Sequence, residues 1–125
     1  MKDDSAPSRY LDVVPILKDQ TTGFATSPEH RLWGEQMDDL PGVVAAAFAQ
    51  YLARIALDGS EMGIVKAGVE ALSELASWGD GEVDTMLRDE VFDNLGDDVR
   101  AIEVLRQMMS ERLQRLYDHW IESSA

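Results

Sequence analysis

The chain is 125 residues long with 45% hydrophobic and 28% charged residues, which supplies enough apolar side chain for one core and too much for an intrinsically disordered acidic chain. Twenty-four acidic residues against 11 lysines and arginines give a formal charge of -13, which repels nucleic-acid phosphates and anionic membrane surfaces. Without cysteine there is no disulfide or thiolate metal site; "MKDDSAPSRYLDVV" lacks a secretory pattern, and no apolar run approaches the roughly 20 residues of a membrane span, so a soluble cytoplasmic protein is expected.

Residues 1–40 read as short helices and a loop. In "APSRYLDVVPILKDQ", Leu11, Val14 and Leu17 recur at helical spacing, and Pro15 restricts the helix to a start or a kink there. "QTTGFAT" reads as a loop. "SPEHRLWGEQMDD" then offers Ser27 as N-cap and Pro28 at the first helical position, with Leu32, Trp33 and Met37 predicted to form one apolar stripe.

The next helix is the clearest. "PGVVAAAFAQYLARIALDG" places Val44, Ala47, Phe48, Tyr51, Leu52 and Ile55 on one face and ends at Gly59. After Gly59 and Ser60, "EMGIVKAGVEALSELASWG" repeats the pattern with Val65, Val69, Leu72, Leu75 and Ala76, so residues 41–78 are predicted to form an antiparallel helical hairpin. Asp80 can cap a fifth element that turns Val83, Met86, Leu87, Val91, Phe92 and Leu95 inward and ends at Gly96. Asp97 can cap one long last helix through Ile102, Leu105, Met109, Leu113, Leu116 and Trp120, making residues 81–122 a second pair. Apolar and polar residues never alternate long enough for a strand. The expectation is a single all-α domain of five to six helices, two antiparallel hairpins packed as a bundle or a short HEAT-like stack.

The carboxylates are the first candidates for catalytic or metal chemistry. "DGEVD" gives Asp80, Glu82 and Asp84 the alternation of a calcium loop, but Thr85 stands where that loop needs Gly and Val91 where it needs a bidentate Glu. Acids at a helix N-terminus, facing the positive end of its dipole, account for the run. The i, i+4 pairs Glu70/Glu74 and Asp89/Asp93 lack the Glu-x-x-His partner of a di-metal bundle, and His30 and His119 are far apart in sequence. No serine sits in a nucleophile-elbow pattern, and Gly59, Gly63 and Gly68 follow no strand, so neither nucleophilic catalysis nor a phosphate loop is implied. The reading is a non-enzyme that needs no metal or cofactor.

What remains is the acidic stretch. Residues 80–98 hold Asp80, Glu82, Asp84, Asp89, Glu90, Asp93, Asp97 and Asp98 against Arg88 alone, eight acids minus one cation, a local balance of -7. Residues 99–125 balance four acids with four arginines, so the imbalance is regional. A solvated face is the ordinary reading of a charge run. Against it, like charges at i, i+4 weaken a helix by about a few tenths of a kcal/mol per pair, whereas concentrated acids steer a basic partner. Trp78, just before the stretch, has the character of an interface anchor. Trp78 and the eight acids are therefore the candidate partner-binding residues.

The small size, acidity, missing cysteine, helical pattern and phrases such as "FAQYLARIALDG", "ALSELASWGDGEVDTMLRDEVFDNL" and "LYDHW" resemble small bacterial immunity proteins of contact-dependent inhibition and polymorphic toxin systems. The resemblance spans residues 40–122 in general pattern. It implies one-to-one binding of a basic toxin domain, often a nuclease, with its active or substrate-binding surface covered. Two other readings fit the same residues: a helical adaptor pairing through the last helix, and a DNA mimic occupying a DNA-binding protein.

Overall fold

Short polar side chains, prolines and left-handed glycines set the helix boundaries. The computed structural model describes residues 12–21, 23–33, 40–95 and 98–124, and among them it is all-α, with no strand. Helix α1 (Val13–Gln20) keeps Pro15 in its first turn, where a missing N–H leaves no helical bond unmade, and buries Val13, Val14 and Leu17. Helix α2 (Pro28–Trp33) starts after Ser27, whose hydroxyl accepts the His30 N–H at 3.2 Å. Helix α3 (Pro41–Asp58) ends at Gly59, held at φ 76°, whose N–H donates to the Ile55 carbonyl at 3.0 Å. Helix α4 (Met62–Ser77) follows after a three-residue turn.

Asp80 caps helix α5 (Gly81–Met86) by accepting the N–H groups of Glu82 and Val83 at 2.9 and 3.2 Å. The chain then widens into a π-helical segment (Leu87–Val91) and tightens into a 3-10 turn (Phe92–Asn94). The core pattern explains this change of winding. Val83, Leu87, Val91 and Leu95 are at most 2% exposed and recur every four residues. In an α-helix four residues overshoot one turn by about 40°, so the fourth would lie about 120° off the first. The wider π turn takes up that drift and keeps all four on one face.

The long last helix expected from its apolar spacing is two helices, α6 (Val99–Met108) and α7 (Glu111–Ser124). Met109 adopts an extended backbone (ψ 146°), and Ser110 caps α7 by accepting the Leu113 N–H at 3.2 Å, while its own N–H donates to the Ser73 hydroxyl of α4 at 3.0 Å. Apolar periodicity persists across the break because both helices pack on the same core. The N-cap of α6 is Asp98, which accepts the Arg100 N–H at 2.9 Å; Asp97, expected there, and Gly96 lie outside the described residues.

Helix α3 is the centre of the bundle. It packs against α1, α2, the π and 3-10 segment, α6 and α4, and α4 in turn meets α1, α5, α6 and α7. The second pair of helices thus packs against both helices of the first. The predicted stripe on α2 is different: Leu32 is 78% exposed, and the inward residues are His30 and, from the preceding loop, Phe24. Phe24 packs edge-on to Phe48 and His30, with ring centroids 4.9 and 5.3 Å away. The Trp33 side chain, Leu11 and Met37 lie outside the described residues.

Candidate partner-binding surface

The eight acids of residues 80–98 divide by what their carboxylates already hold. Asp80 is spent on the α5 cap. Asp84, whose side chain is only 14% exposed, pairs with Arg112 of α7 at 3.0 Å. Arg112 also donates through Nε to the Ala76 carbonyl near the end of α4, so one guanidinium clasps α4, α5 and α7 together. Asp98 caps α6 and pairs with Arg100 at 3.0 Å. The Arg100 side chain holds the Asp98 carboxyl below its ordinary value, and the Arg100 backbone N–H adds to the effect. Asp97 lies outside the described residues.

Glu82, Asp89, Glu90 and Asp93 remain. Among the described residues none of the four is in an ion pair; Glu82, Asp89 and Asp93 are exposed and Glu90 is half-buried. Glu82, Asp89 and Glu90 border a shallow groove of about 440 Å³ together with Gly81, Thr85 and Met86. Arg88, the one cation of the stretch, reaches back to the Thr85 hydroxyl at 3.4 Å. The π segment is braced from behind: the Asn94 amide donates to the Glu90 carbonyl at 2.7 Å and accepts from the Gln50 amide of α3 at 3.1 Å. The carboxylates therefore project from a fixed backbone.

Trp78 is half-buried and packs against the core at the end of α4. A second aromatic group stands beside the acidic segment, and sequence spacing did not reveal it as such. Phe92 stacks edge-on to Tyr117 of α7 at 5.1 Å and lies 5.9 Å from the Trp120 ring. Their separation in sequence, from 92 to 117 and 120, hides the pairing; only the packing of α7 on the π segment brings them together.

On α6 and α7, Arg100, Arg106, Arg112 and Arg115 are each bonded to a carboxylate, Arg106 to both oxygens of Asp118 at 3.0 and 2.7 Å. Among the described residues no group of three or more His, Asp or Glu could hold a metal ion, and no helix is long and apolar enough to cross a membrane. No protein-family model, curated protein or solved structure matches the chain.

Proposed function

We propose that the protein is a cytoplasmic acidic binding module, and that it neutralises a cognate basic toxin domain, such as a nuclease, by covering its active or substrate-binding surface. The observation that carries this reading is the division of labour among the acids. Asp80, Asp84 and Asp98 hold caps or arginines of the fold, while Glu82 on α5 and Asp89, Glu90 and Asp93 on the braced segment stay outside any ion pair among the described residues. Glu82 also faces the positive end of α5, but Asp89, Glu90 and Asp93 lie beyond its first turn and repel one another, while all four can raise the encounter rate with a basic surface by about 10- to 1,000-fold. The general resemblance of residues 40–122 to immunity proteins supports the same class of partner. Binding and occlusion require no catalytic group, metal or cofactor.

Tagged protein retained from a lysate of its own source tests the reading. One stoichiometric basic partner, held at low salt and released at high salt, is expected. The triple variant Asp89→Lys, Glu90→Lys, Asp93→Lys should fail to hold it while keeping its helical circular dichroism. Asp84 is left intact because its reversal would break the Arg112 clasp. Empty columns in both washes, with the neighbouring genes expressed, would leave the stretch as a solvated face.

A further inference from the structure

The ring cluster on α7 extends the surface described above. Phe92 and Tyr117 are 2% and 3% exposed, whereas Trp120 rests on them half-buried, 5.9 and 6.0 Å away, with Ile121 beside it 44% exposed. Trp120 is therefore packed against two buried rings while the residue itself stays partly exposed. Phe92 belongs to the acidic segment itself, between half-buried Glu90 and exposed Asp93. Arg115, the nearest arginine along α7, is held by Glu111, and Arg106 of α6 is held by both oxygens of Asp118, so neither counters the unpaired acids of the neighbouring segment.

We infer that the docking surface continues from the acidic segment onto α7, where Trp120 is the aromatic platform for an arginine side chain of a basic protein partner. This rests on the acidic-surface reading. Charge complementarity selects a basic partner, and the immobilised indole selects arginine within that class. A planar guanidinium stacks on an aromatic face while keeping its in-plane donors for nearby carboxylates, which a lysine ammonium cannot do. Tryptophan, with tyrosine and arginine, is also enriched among the residues that carry binding energy at interfaces.

The test uses the full chain with nona-arginine and nona-lysine peptides, titrated calorimetrically at low ionic strength. The wild type should bind both, with arginine favoured by about two- to five-fold. Trp120→Leu should abolish that preference while leaving lysine affinity unchanged, and Trp120→Phe should keep part of it. If Trp120 only fills the core, Trp120→Leu lowers the melting temperature and leaves the arginine-to-lysine ratio as in wild type, which overturns the inference but not the acidic surface. Equal affinity for the two peptides in the wild type overturns it as well. If neither peptide binds the wild type, or the Asp89, Glu90, Asp93 reversal leaves both affinities unchanged, the acidic surface itself is refuted and this inference with it.

Discussion

Gly68 of α4 lets α4 approach α3 closely: a Cβ there would lie 2.5 Å from a Leu52 methyl carbon and 3.3 Å from the Phe48 ring. Leu52 and Phe48 are fully buried and have little room to retreat. Gly68→Ala should therefore lower stability by about 1 kcal/mol or more despite alanine's better helix propensity, whereas Gly63→Ala, with nothing within 4 Å, should raise it by about 0.5 kcal/mol. Urea unfolding of the two variants gives the comparison directly. Arg112 is the other residue on which much rests. Arg112→Ala should cost about 1–2 kcal/mol, because it leaves the mostly buried Asp84 carboxylate and the Ala76 carbonyl without their donor. Asp84→Ala in the same background should cost less than it does alone, the sign of direct coupling. Glu29 pairs in two-pronged fashion with Arg54 of α3, at 2.6 and 3.1 Å, and that bond holds its carboxyl below the ordinary 4.5. A lowered carboxyl value means the pair contributes fully above pH 4.5 and is lost as pH falls through the lowered value. Glu29→Gln should flatten the acid side of the stability profile in that window, as read from thermal melts between neutral pH and pH 2.

At the scale of elements, boundaries followed from local chemistry wherever a cap stood beside an abrupt change of pattern. Ser27 with Pro28, Asp80 and Gly59 all act as their residue types suggest. The break at Ser110 was hidden because Ile102, Leu105, Met109, Leu113, Leu116 and Trp120 recur at spacings of three and four straight across it, as they would in one helix. Its signal was the serine followed by Glu111, a capping residue and an acid in a first turn. Ser110→Ala should cost about 1 kcal/mol and loosen α7 first, seen as faster amide exchange over residues 113–117. The π segment was legible in principle, since a strict four-residue repeat of Val83, Leu87, Val91 and Leu95 does not fit one face of an α-helix. Phe24 and His30 were missed because the loop before α2 carries no period; their burial is decided by the space above Phe48 and Tyr51. On the surface, the acids were readable as a cluster, but their division into structural and unpaired groups depends on Arg112 and Arg100, and the Phe92–Trp120 contact depends on tertiary packing.

For the molecule as a whole, the charge distribution makes a kinetic claim. The arginines of α6 and α7 are held in ion pairs, and the excess negative charge is presented by a segment braced on α3 through Gln50 and Asn94. Long-range attraction between such a surface and a basic domain is screened over about 10 Å at 0.1 M salt, so it acts on association more than on dissociation. The most direct measurement is the association rate with the retained basic partner across ionic strength, for the wild type and for the Asp89, Glu90, Asp93 reversal. The account predicts a wild-type rate that falls steeply as salt rises, a reversal variant at least about tenfold slower at low salt, and convergence of the two at high salt. Rates that are indifferent to salt and equal in both proteins would contradict it.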